Sequence, residues 1–206
     1  MCNNTCDHSS YLLNQYEKVI ICQSCQQFFC FNKPNNTNET NNKQEKKVCF
    51  SGPRYLSQNQ IKIVEDTVIK YHYYFQINNY NLIYNVGDAK GVDSVVFKTL
   101  SKIYNNDFIK KFVVRDKSKK QDYAQRSMRM VSDTTVADDS YLIAFPNKKC
   151  PEIVTPTSHF CGSGSGTWAT IAFAKNRNLR TIIFPIEQIT LPDWIKNNRK
   201  NYSNPK

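Results

Sequence analysis

From Val48 onward the chain alternates between two apolar rhythms. Short, nearly continuous apolar runs predict strands: VCFS (48–51), LIYNV (82–86), FVVR (112–115), YLIAF (141–145) and TIIFP (181–185). Between them apolar positions recur every three or four residues. Ile61, Val64, Val68 and Ile69 do so within Ser57–Phe75, which predicts an amphipathic helix. Val92–Tyr104, Tyr123–Val131 and Thr167–Asn176 repeat that spacing. Strands of this kind, alternating with helices, predict βαβ units and a mostly parallel sheet. Right-handed crossovers then place helices on both faces. The expected fold class is α/β, Rossmann-like, over residues 48–190.

The rest of the chain follows other rules. Residues 32–47, NKPNNTNETNNKQEKK, contain no apolar side chain. Such a segment buries too little surface to offset the entropy of ordering it, so it is expected to be a disordered linker. Residues 1–31 are short and rich in cysteine. Cys6 and His8, followed after thirteen residues by Cys22 and Cys25, form two close pairs of sulfur and nitrogen ligands. Between the β-like runs KVII and QFFCF, that pattern predicts a zinc-ribbon-like module with structural zinc, whose metal supplies much of its folding free energy. Cys2 and Cys30 are alternative ligands. A redox Cys-x-x-Cys is the competing reading, and no thioredoxin-like βαβ unit surrounds the motif. Residues 191–206 form a basic C-terminal tail.

Charge and cysteine usage narrow the setting. No apolar stretch approaches the eighteen or so residues of a membrane span, and MCNNTCDHSS lacks the basic-then-apolar order of a secretory leader. The expectation is a cytoplasmic protein with no membrane partner, its eight cysteines reduced or metal-bound. The formal charge of +11 is uneven, because residues 1–46 carry four Lys and four acids. Lys110–Arg129 holds eight Lys/Arg against Asp116 and Asp122, and the tail is also basic. Such clusters suit a phosphate-bearing small ligand, a polynucleotide or simple solubility. The pattern sets no oligomeric state, and a homodimer is compatible with it.

The six glycines all fall where a predicted strand gives way to a helix or its approach loop. Gly52 follows the first strand, Gly87 and Gly91 the second, and Gly162, Gly164 and Gly166 lead into the fourth helix. In an open parallel sheet these turns gather at the carboxyl ends of the strands, where ligands bind. Glycine lets a ligand approach the backbone, and a helix N-terminus offers free N–H groups to a phosphate. GSGSGT is not a P-loop, since it lacks the lysine and the spacing. Trp168, Met128 and Met130 are expected in the core. His72 and His159 are read as structural or exposed, and Cys49, Cys150 and Cys161 are given no nucleophilic role.

SGPR (51–54), VGDAKGVDSVV (86–96), QRSMRM (125–130), LIAFPN (142–147) and GSGTWATIAFA (164–174) together resemble the SMF/DprA–LOG superfamily, its YspA-like branch above all. The resemblance covers about residues 48–186. It implies a site for a nucleotide or nucleotide-derived ligand lined by Gly52, Arg54, Gly87, Asp88, Gly91, Asp93, Arg126, Pro146, Gly166 and Thr167. A phosphate is expected on the amides around Ser165, Gly166 and Thr167, with Arg126 and Arg54 as cations and Asp88 or Asp93 facing a ribose hydroxyl. The superfamily's phosphoribohydrolases carry a glutamate in P-G-G-x-G-T-x-x-E; here Thr170 stands in its place, and Ser127 replaces the lysine of their R-K motif. Oxocarbenium-like chemistry needs nearby carboxylates, so catalysis is left open. Binding or sensing is the leading expectation; N-glycosidic hydrolysis and DprA-like single-stranded DNA binding are the alternatives.

Overall fold

A computed structural model describes residues 11–14, 19–22, 28–30, 44–78, 80–162 and 164–196. Near the N-terminus, β1 (Tyr11–Asn14), β2 (Val19–Cys22) and β3 (Phe28–Cys30) form an antiparallel sheet in that order. Sequence periodicity anticipated β2 and β3, but not β1. Of the expected zinc ligands, Cys22 ends β2, while Cys6, His8 and Cys25 lie outside the described residues.

The α/β fold is the one expected. Its elements in order are β4 (Glu45–Ser51), α1 (Gln58–Ile77), β5 (Asn81–Gly87), α2 (Val92–Ile103) and β6 (Ile109–Phe112). Then come α3 (Lys120–Thr134), β7 (Tyr141–Ala144), α4 (Gly166–Asn176), β8 (Arg180–Ile183) and the short α5 (Asp193–Lys196). The five strands pair in the order β6-β5-β4-β7-β8, and every pairing is parallel. The connections reverse direction at β4, which makes the boundary between β4 and β7 the topological switch point.

Both faces of this sheet are buried, and the two-residue period of a strand divides its side chains between them. Val48, Phe50, Leu82, Tyr84, Val86, Ile143 and Phe145 pack with Val64, Val68 and Phe75 of α1 and Val92, Val96 and Leu100 of α2. The intervening residues Cys49, Leu142 and Ala144 pack with Met130 and Val131 of α3 and Trp168, Ile171 and Ala172 of α4. Trp168 and Met130 are core residues as expected, and Met128 is half-buried against them.

Element boundaries differ from the periodicity at several places, three of them with a visible physical reason. β4 begins at Glu45, inside the polar 32–47 segment, because Lys46 is buried with its ammonium 3.8 Å from the Tyr80 ring centroid and 4.8 Å from that of Tyr141. Cation–π contacts replace part of the lost hydration. The strand expected at 112–115 is instead Ile109–Phe112, paired with β5 from Tyr84 to Gly87. Beyond Phe112 the chain leaves the sheet, and the Val114 N–H donates to the Asp88 carboxylate at 3.1 Å. Part of the expected tail packs on the domain, with the Trp194 ring edge-on to Trp168 at 6.1 Å. Among the described residues, no helix is long and apolar enough to cross a membrane.

Candidate functional site

Parallel register aligns the carboxyl ends of β4, β5 and β7, so their loops open at one edge of the sheet. Phe145 N–H still donates to the Ser51 carbonyl at 2.8 Å; past that bond the loops of β4 and β7 separate toward α1 and α4. Each loop enters a helix whose first N–H groups lack intrahelical acceptors, and the three helix starts are satisfied differently.

At α1, Ser57 and Gln60 form a capping box: the Ser57 hydroxyl accepts from Gln60 N–H, and Ser57 N–H donates to the Gln60 side chain. At α2, Val92 N–H donates to the Pro53 carbonyl at 3.1 Å. Gly91, with φ +77°, makes this docking possible: a Cβ there would strike the Pro53 carbonyl and the Arg54 backbone. A Cβ on Gly52 would likewise run into the Val92 side chain. Gly52 and Gly91 thus serve the packing of one loop against another. At α4, the Ser165 hydroxyl accepts from Trp168 N–H at 3.4 Å, and the N–H groups of Gly166 and Thr167 have no acceptor among the described residues. A Cβ on Gly162, Gly164 or Gly166 would meet nothing within 4 Å. Of the three helix starts, this one faces open space.

A buried ionic cluster sits at the end of β5. Arg126 of α3 donates through Nη1 to Asp93 of α2 at 2.8 Å, with the two side chains only 8% and 7% exposed. Asp93 also accepts from Ala89 N–H at 3.2 Å. Burial pushes the Asp93 carboxyl above its ordinary range, against the pull of the Arg126 charge and its hydrogen bond. Gly87 lies beneath the pair, and a Cβ there would overlap Arg126 Nη1 and Asp93 Oδ2. Asp88 faces the same guanidinium, its Oδ1 3.9 Å from Arg126 Nε. That distance is too long for a hydrogen bond, and both atoms are buried without a partner.

Residues expected to share a site are therefore distributed in a particular way. Gly87, Asp88, Asp93 and Arg126 form the buried cluster, while Ser165, Gly166 and Thr167 start the open helix. Pro146 is buried, and its carbonyl accepts from Ile186 N–H at 3.0 Å. Arg54 is exposed, its guanidinium 4.2 Å from the Tyr123 ring centroid, and it has no acidic partner among the described residues. The Tyr123 stack was not foreseen; the nearby aromatic at the start of a helix was its only signal in the sequence.

Thr170, at the position of the phosphoribohydrolase glutamate, is buried and donates to the Gly166 carbonyl at 2.8 Å. Burial raises the Cys49 thiol to about 12 and the Cys150 thiol to about 11, so neither is a ready nucleophile. His72 is buried with Nδ1 2.9 Å from the Tyr84 hydroxyl, and burial lowers it to about 4. His159 packs edge-on against Phe173. Among the described residues, no group of three or more His, Cys, Asp or Glu is arranged to hold a metal ion. Compared with family models, with curated proteins and with solved structures, the chain matches none.

Proposed function

We propose that the protein binds or senses a nucleotide or nucleotide-derived small molecule at the carboxyl edge of its sheet, as a member of the YspA-like branch of the SMF/DprA–LOG superfamily. The observation that carries this reading is the open start of α4 beside the switch point, where the N–H groups of Gly166 and Thr167 are unclaimed among the described residues. A phosphate there gains those donors and the positive end of the helix dipole. Arg54 is the cation best placed to join it, since its planar guanidinium is stacked on Tyr123 but not consumed by a carboxylate. Arg126 is held by Asp93, so in this reading it positions the cluster beneath the ligand.

Binding is favoured over N-glycosidic cleavage because Thr170 offers no carboxylate and its hydroxyl is taken by the helix backbone. Single-stranded DNA binding is the second reading, favoured by Tyr55, 84% exposed, and by exposed Lys90, Arg115 and Lys117 on loops of the same edge and Lys120 at the start of α3. A structural zinc held by Cys6, His8, Cys22 and Cys25 completes the proposal. A cytoplasmic setting, where cysteines stay reduced, goes with it.

Titration calorimetry with adenine nucleotides, ADP-ribose derivatives and cyclic nucleotides tests the reading. A ligand whose affinity falls in Arg54→Ala supports it. Tight, steeply salt-dependent binding of single-stranded DNA, with no small molecule bound, replaces it with the second reading.

A further inference from the structure

The cluster at the end of β5 leaves one donor and one acceptor unused. Among the described residues, Arg126 Nε–H has no acceptor and Asp88 Oδ1 has no donor, although the side chains are 8% and 10% exposed. A buried donor or acceptor left unsatisfied carries a desolvation penalty that no other bond offsets. Their neighbours do not resolve this. Arg126 Nη1 is taken by Asp93, and Asp88 Oδ2 by Val114 N–H, so neither side chain can turn toward the other without giving up a bond it has.

We infer that the gap between Asp88 Oδ1 and Arg126 Nε seats a hydroxyl group of the ligand, which makes this pair a selector for a hydroxylated sugar. The inference rests on the nucleotide reading above. The chemistry excludes the other common ligand groups. A phosphate oxygen accepts from Arg126 but is repelled by Asp88. An ammonium or a metal ion satisfies Asp88 but is repelled by Arg126. A keto oxygen accepts but cannot donate. A hydroxyl does both through one oxygen, as a bridging water does, and the ligand hydroxyl takes the place such a water would fill.

The fit is close but not complete. Two hydrogen bonds of ordinary length meeting at a tetrahedral oxygen span about 4.5 Å, against the 3.9 Å between these atoms. The pair therefore opens by roughly half an ångström to admit the hydroxyl, a movement that a probe on Arg126 Nε will register. The position suits a sugar whose phosphate rests on α4, because β5 and β7 flank β4 in the sheet and lie roughly 10 Å apart.

The test uses the full-length protein with ADP, 2′-deoxy-ADP and 3′-deoxy-ADP, read by calorimetry and by the NMR resonance of Arg126 Nε–H. One deoxy form is expected to bind about tenfold or more weakly than ADP, the loss of a hydrogen bond to a charged group. ADP is expected to shift the Nε–H resonance, and that deoxy form to leave it in place. Asp88→Asn should erase the discrimination. If that variant does not fold, the wild-type resonance decides. Equal binding of all three nucleotides, or ADP binding with an unmoved resonance, overturns the inference and leaves the nucleotide reading standing. Binding of none of them, nor of any ADP-ribose derivative or cyclic nucleotide, overturns both.

Discussion

The Arg126 guanidinium reaches Asp93 over Gly87, tying α3 to the start of α2 across the end of a strand that has no side chain there to obstruct it. The two helices pack against different core clusters on opposite faces of the sheet. Their ion pair thus joins the two layers where the loops of β4 and β5 meet. Gly87→Ala puts a methyl group where Arg126 Nη1 and Asp93 Oδ2 lie. Breaking a buried pair of this kind costs about 3–5 kcal/mol. Urea denaturation should show a loss of that order for Gly87→Ala and also for Arg126→Met. Arg126→Met combined with Asp93→Leu should recover much of it, because no buried charge is then left alone. A double variant no more stable than Arg126→Met would show that the pair is not the source of the loss.

His72 predicts the acid limb of the stability profile. It is buried, its Nδ1 is 2.9 Å from the Tyr84 hydroxyl, and its ring contacts Tyr73 and Tyr104 edge-on. Burial lowers its pKa from 6.5 to about 4, so the fold accepts the neutral ring and resists the charged one. A depressed folded-state value means that the stabilisation is complete above the unfolded pKa of 6.5 and is lost as pH falls toward 4. The loss is on the order of 3 kcal/mol across that window. Asp133 contributes separately. Burial alone would raise it, but hydrogen bonds from Lys110 and Asn85 and the charges of Lys47 and Lys110 hold it below 3.8, so its loss comes at lower pH. Chemical denaturation of His72→Gln between pH 7 and pH 4.5 should show a flatter profile than wild type. Identical slopes would exclude His72 as the titrating group.

How much of this could be read from the chain depended on the range of the interaction. Strands and helices came from local periodicity, and four of the five strands of the parallel sheet lie where the apolar runs are. The exception, β6, failed for a non-local reason. Val113 and Val114 look as strand-like as Ile109, but the Asp88 carboxylate takes the Val114 N–H and draws the chain off the sheet. Lys46 reads as linker in the sequence because burial of a lysine depends on Tyr80 and Tyr141, both distant along the chain. The glycines were legible as a group, but not their separate duties. Gly52 and Gly91 make room for Val92 and Pro53, Gly87 for Arg126, and Gly166 for nothing among the described residues. A carboxylate 33 residues from its arginine carries no local mark of the pairing.

Zinc removal tests the N-terminal proposal independently of the parallel sheet. Protein purified without chelator should carry about one equivalent of zinc, measured by plasma mass spectrometry, and Cys22→Ser and Cys25→Ser should each lose it. Because structural zinc supplies folding free energy where a core is too small, metal loss should unfold the segment around β1–β3 and leave the main transition of the α/β domain in place. Less than half an equivalent in wild type, or a Cys22→Ser protein that keeps its metal, would count against the four-ligand set.

Gly166→Val separates a ligand role from a folding role more cleanly than any other glycine substitution in the chain. Its φ is not positive, and a Cβ at this position meets no atom within 4 Å, so the chain itself has no objection to a side chain there. Valine has a higher helix propensity than glycine, so the substitution carries no propensity cost in this first helical turn. The cost to a ligand is different in kind, because the new methyl groups stand in front of the Gly166 and Thr167 N–H groups that would hold a phosphate. Thermal unfolding should therefore show a nearly wild-type protein, while calorimetry shows nucleotide affinity reduced by about tenfold or more. Arg54→Lys provides the companion measurement. It keeps the charge but loses the planar stack on Tyr123, so an intermediate loss is expected for a phosphate gripped by the guanidinium. A nucleotide that binds both variants as tightly as wild type does not rest on α4, and the site would then have to be sought at another part of the edge.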